Sequence, residues 1–103
     1  MQNFRIERDG ETATVVAAGD ICASAAPELR PALRDLVKSG VRRMVFDLTQ
    51  TTMVDSTGIG LLLAAFNSMR GAGGEFSVVC ASDEILDLFK TMRINQHFPV
   101  SGR

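Results

Sequence analysis

Short β-like runs alternate with longer helical runs along this chain, and glycines stand at the joints, a pattern that restricts it to an α/β fold. Phe4, Ile6 and Arg8 begin a strand that stops at Asp9-Gly10, a hairpin signal, and the β-branched run from Thr12 to Ala18 returns antiparallel to it. Gly19 releases the chain into a loop, Asp20 to Ala25. Pro27-Glu28-Leu29 then opens a helix with Leu29, Leu33, Leu36 and Val37 on one face and Ser39-Gly40 as its stop. A proline deep inside a helix costs about 3 kcal/mol, so Pro31 predicts a late start or a bend. Met44, Val45 and Phe46 in a row make Arg43 to Leu48 a central strand expected to be buried on both faces. Between 53 and 71, Ile59, Leu62, Leu63, Phe66 and Met69 form one helix face, with Gly71 as the cap. Glu75 to Ala81 reads as another buried strand. Ser82-Asp83-Glu84 opens a helix with Ile85, Leu88, Phe89 and Met92 inward, and Gln96 to Val100 reads as a last short edge strand.

Composition narrows the function. With 103 residues and 46% hydrophobic side chains the chain is one domain, 1–103, able to form a core without disulfide or metal staples. Twelve acidic against 11 basic side chains, with no Trp or Tyr, lack the footprint of a nucleic-acid binder or of a protein held on an anionic membrane. The longest apolar run, Ile59 to Phe66, is far short of the roughly 18 residues a spanning helix needs. The first residues lack a signal-peptide core, so a cytoplasmic location is expected. Cys22 and Cys80 are not in metal or redox spacing and read as reduced, small hydrophobes. The methionines at 44, 53, 69 and 92 read as core or interface fillers.

The segment that carries chemistry is Asp55-Ser56-Thr57-Gly58-Ile59-Gly60. It places a hydroxyl at a helix start whose first turns contain two glycines. Unpaired N–H groups and the positive end of the helix dipole favour an anion there, and glycines remove side chains that would block its approach. The same residues also fit a plainer arrangement, with Ser56 as an N-cap and the glycines allowing close helix–sheet packing. Enzymatic alternatives fail on their motifs. Val54-Asp55-Ser56-Thr57-Gly58 lacks the first glycine of a nucleophile elbow, His97 is the single histidine, and neither the dinucleotide nor the P-loop fingerprint is complete. No cluster of metal ligands stands out and no cofactor is implied.

Gly19-Asp20-Ile21, Ala26-Pro27-Glu28-Leu29, Val45-Phe46-Asp47-Leu48, Val54 to Leu62 and Gly73-Gly74-Glu75-Phe76 together resemble a STAS domain, of the small stand-alone kind known as anti-sigma factor antagonists. The resemblance implies a mixed sheet of about five strands flanked mainly on one side by about three helices. It implies a non-enzymatic partner switch. The unmodified protein would bind an anti-sigma factor that is also a serine kinase and so free that factor's target. Phosphorylation of Ser56 would end binding, and a PP2C-type phosphatase would restore it. Asp55 would orient the acceptor serine. Ser24, Thr57, Gly58, Ile59, Gly60 and Leu61 would complete the binding surface, with Leu61 and Ala65 on the outer helix face. Family members commonly carry aspartate where this chain has Cys22, which leaves an altered kinase recognition or a redox-active thiol as readings of that position. Arg103 comes too early for the final helix of many members. A monomer is expected. The alternative is a STAS subunit that senses a ligand or scaffolds a larger complex without being phosphorylated.

Overall fold

The computed structural model describes residues 4–102. Strands β1 (Phe4–Asp9) and β2 (Thr12–Ala17) form the hairpin, and Gly10 takes the left-handed conformation that the turn requires, φ 60°. Helix α1 (Ala26–Lys38), β3 (Arg43–Asp47), α2 (Ser56–Gly71), β4 (Glu75–Ala81), α3 (Asp83–Thr91), a 3-10 turn (Ile94–Gln96) and β5 (Val100–Gly102) follow. The sheet order is β1-β2-β3-β4-β5, antiparallel in the hairpin and parallel from β2 onward.

Each parallel strand is added on the same side of the last. Right-handed crossovers that progress in one direction place their helices on one face of the sheet. That face carries Ala13, Val15, Met44, Phe46, Phe76 and Val78, which register side by side across β2, β3 and β4 and are all buried. Of the alternate residues, Thr14, Val45, Asp47, Ser77 and Val79 are only half-buried, while Val16, registered between Arg5 and Asp47, is buried. Strand β3 is therefore not buried on both faces as Met44, Val45 and Phe46 in a row led us to expect, and β4, read as another buried strand, is half open on the same side, because among the described residues no helix layer covers the second face.

Three other elements differ from the sequence reading. Helix α1 starts at Ala26 and continues through Pro31 rather than starting late. Pro27 lies in the first turn, where its missing N–H has no intrahelical partner to lose, and the burial of Ala26, Leu29, Leu33 and Leu36 offsets the one bond lost at Pro31. The last strand is Val100–Gly102 rather than Gln96–Val100, since 94–96 turn once and Phe98 is driven into the core against Phe66 and Phe76. Met92 is half exposed, because α3 ends at Thr91 and the chain reverses through Arg93 at φ 59°.

Helix α2 departs most from a single-faced pattern. Gly58, Ile59, Leu61, Leu62, Ala65 and Met69 are all buried, and Leu63 and Phe66 half-buried. It packs on the sheet and also against α1, so two of its sides are covered. Phe46 lies at the centre of the core, fully buried and in ring contact with Phe76. Phe46→Ala should lower unfolding stability by about 3–5 kcal/mol, read as a shifted denaturation midpoint with a largely unchanged slope.

Candidate functional site

The site is built where two loops at one end of the sheet are joined. Ile21 and Val54 form an isolated parallel bridge. Ile21 N–H donates to the Met53 carbonyl (3.1 Å), and Asp55 N–H donates to the Ile21 carbonyl (3.2 Å). One oxygen of Asp20 accepts from Thr52 N–H (3.1 Å), the Thr52 hydroxyl (2.9 Å) and Met53 N–H (3.0 Å). Thr51, wholly buried, donates its hydroxyl to the Gly19 carbonyl (2.8 Å). Residues 19–21 and 51–55 thus behave as one unit.

Asp55 links that unit to α2. Its extended backbone (φ −88°, ψ −177°) puts it at the N-cap, where Oδ1 accepts from Gly58 N–H at 2.8 Å and Oδ2 accepts from Ala23 N–H at 3.2 Å. The cap is therefore Asp55, and Ser56 is not needed for it. Ser56 is the first residue of the helix and exposed. The N–H groups of Ser56 and Thr57 precede the first intrahelical donors and are available to an oxygen-rich group.

The two glycines do different work. A Cβ on Gly58 would run into the Ile21 carbonyl oxygen and lie 2.9 Å from Val54 Cγ1, so glycine is what lets α2 rest on the joined loops. Gly60 is exposed, with nothing within 4 Å of a Cβ built on it. Close packing explains Gly58 and leaves Gly60 as bare helix surface.

Of the residues singled out from sequence, Asp55, Ser56, Thr57, Gly58 and Gly60 cluster at the helix start, and Ala23, beside the exposed Ser24, is tied to them through Asp55. Cys22 is half-buried, with its sulfur 3.1 Å from the Ser24 hydroxyl. Ile59 is buried. Leu61 and Ala65, expected on the outer face, are 2% and 4% exposed, because α1 packs over that side of α2. They support the surface from beneath. Met53, half exposed on the joined loops two residues before Asp55, is surface that sequence reasoning placed among the fillers. Asp20, Thr51 and Thr52 were missed as organisers; an aspartate facing a Thr-Thr pair is the only signal, and it needs the fold to bring the two together. His97 stands near Phe66, with ring centroids 6.2 Å apart. Phe66 follows Ser56 by ten residues of helix, about 15 Å along the axis, which leaves Ser56 without an imidazole base.

A STAS domain model matches residues 3–102. A curated anti-sigma-B factor antagonist of Listeria monocytogenes is 36% identical over 85 residues, 82% of this chain and 74% of that one. The chain belongs to the STAS family, among the anti-sigma factor antagonists. An anti-sigma factor antagonist from Mycobacterium paratuberculosis shares the fold with a TM-score of 0.84 at 22% identity, over 97% of this chain and 85% of that one. SpoIIAA, the Bacillus cell fate determinant, shares it in its unphosphorylated form (TM-score 0.77, 19% identity, 97% and 87% covered) and its phosphorylated form (0.77, 17%, 94% and 89%). This STAS domain has the mixed five-stranded sheet and three helices that the resemblance implied.

Two tests separate the parts of the site. Gly58→Ala should destabilise the STAS domain by about 3 kcal/mol, whereas Gly60→Ala should stabilise it by about 1 kcal/mol, both measured by denaturant titration. The Asp20 carboxyl is held below its ordinary value, chiefly by the Thr52 hydroxyl and then by the Thr52 N–H. A carboxylate lowered in the folded state stabilises above its unfolded pKa and loses that contribution as pH falls through the folded value. Asp20→Ala should therefore melt below the wild type at pH 7, and the gap should close on acidification below about pH 4.

Proposed function

We propose that this STAS domain is the phosphorylation-controlled member of a partner switch. Unmodified, it binds an anti-sigma factor that is also a serine kinase and so releases that factor's target; phosphorylated on Ser56, it lets go, and a PP2C-type phosphatase returns it to the binding form. The observation that carries this reading is the exposed Ser56 hydroxyl at the first position of α2, left out of the cap because Asp55 fills that role. The surface offered to the kinase is Ser24, Met53, Asp55, Ser56, Thr57 and Gly60, with Gly58, Ile59 and Leu61 holding it from below.

Charge explains the switch. A phosphoserine adds about 1.5 to 2 negative charges at neutral pH. The N–H groups of the first turn welcome it, while a partner surface fitted to a hydroxyl must bury it beside Asp55. Moving a complex from 99:1 bound to 1:99 takes about 5.5 kcal/mol of lost affinity, within reach of a poorly matched buried charge. The catalytic base and the nucleotide belong to the kinase, so this protein is a substrate, acts as a monomer, and works in the cytoplasm where ATP and the kinase are. Thr57, half-buried one position further into the helix, is the poorer acceptor.

Intact mass and peptide mapping after incubation with ATP and the serine-kinase-like anti-sigma protein of the same genome test the reading. One phosphoryl group on Ser56, absent from Ser56→Ala, is expected, and the phosphorylated protein should bind that partner about 10⁴-fold more weakly. A group that persists in Ser56→Ala, or a complex indifferent to the phosphate, would overturn it. A stable complex with no phosphoryl gain would make the domain a constitutive binding module instead.

A further inference from the structure

Helix α1 sorts its charges by side. Arg30, Arg34 and Lys38, four residues apart on one ridge, line a groove of about 340 Å³ between α1 and α2. Glu28 and Asp35 line a different depression, against Phe4 and Ile6 of β1. The floor of the α1–α2 groove is closed by the buried Leu33, Leu61 and Ala65, its accessible apolar surface comes from Val37 and Ala64, and its far wall is the small, uncharged pair Ala64 and Ser68. Among the described residues the ion pairs are Arg5–Glu7, Arg42–Glu11 and Arg43–Glu75, so none of the three groove cations is held by a carboxylate.

We propose that this groove docks an acidic amphipathic helix of a protein partner. The partner's apolar stripe lies on Val37 and Ala64, above the closed floor, and its carboxylates, repeated every four residues, meet Arg30, Arg34 and Lys38. Charge complementarity selects this occupant. The three cations are spread over eight residues of α1, about 12 Å along the axis, which matches three carboxylates on successive turns of a helix and not the single head of an anionic amphiphile. The small side chains of Ala64 and Ser68 allow two helix backbones to approach closely. The groove uses none of the motif residues 55–58. It therefore gives the domain a second contact surface beyond the one proposed for the switch.

The test is an NMR titration of the 15N-labelled protein with a synthetic helical peptide carrying Glu at three positions four apart beside a Leu/Ala stripe, and with its Lys counterpart. The Glu peptide should shift the amide signals of Arg34, Val37, Ala64 and Ser68, and should bind more weakly as salt rises from about 0.05 to 0.5 M. Reversing the row, Arg30→Glu with Arg34→Glu and Lys38→Glu, should reduce affinity about tenfold or more and transfer binding to the Lys peptide. Arg34→Gln alone, a milder change at an exposed position, should weaken the Glu peptide in the same direction if the triple variant does not fold. Groove signals unmoved by the Glu peptide, or equal binding of both peptides to the wild type, would overturn the proposal. Shifts produced by decanoate but not by the peptide would overturn it too, by assigning the groove to an anionic amphiphile.

Discussion

The carbonyl of Ile21 is the contact on which the site depends. It accepts from Asp55 N–H, and the backbone of Gly58 rests directly against it. Around that oxygen the chain has assembled an aspartate that accepts three hydrogen bonds, a fully buried threonine hydroxyl and a two-oxygen cap, and every one of these bonds except the one from Gly58 N–H to Asp55 joins residues 32 or 33 positions apart in sequence. Loops normally contribute mobility to a binding surface. These two contribute stiffness, because Asp20, Thr51 and Asp55 each hydrogen-bond across to the other loop.

That stiffness frees Ser56. Had Ser56 served as the N-cap, its hydroxyl would be committed to a backbone N–H and its modification would loosen the helix. With Asp55 in that role, the hydroxyl and the unpaired N–H groups beside it remain outside the fold's own hydrogen-bond accounting. Gly58 and Gly60 divide the same way: one serves the interior, and the other keeps the surface bare.

Local signals were legible in the sequence and two-sided packing was not. Asp9-Gly10 specified the hairpin because its turn needs a positive φ, which glycine supplies. Ser82, Asp83 and Glu84 specified the start of α3 because a cap and a dipole act within one turn. Leu61 and Ala65 were misplaced because a helical wheel presumes one buried face, whereas α2 meets both the sheet and α1. The same limit explains β3, where Val45 is as apolar as its neighbours yet half open, since its burial is decided by where the crossovers put the helices. Pro31 obeyed tertiary packing over propensity. In the site, the motif 55–60 was visible as residues. The joining of Asp20 to Thr52 was not, because it exists only once β2 and β3 lie side by side.

The proposed switch works only if the modification changes binding without unfolding the protein. A phosphate on the first residue of α2 adds charge where the helix dipole and two unpaired N–H groups stabilise it, and at a position that contributes nothing to the core. The repulsion from Asp55 acts in the other direction and is small while water screens both groups. It becomes large when a partner excludes that water, since the attraction of the N–H groups must then offset two neighbouring negative charges in a poorly polarisable interface. The energetic difference between the two forms is thus concentrated in the complex, which is what separates a binding switch from a stability defect.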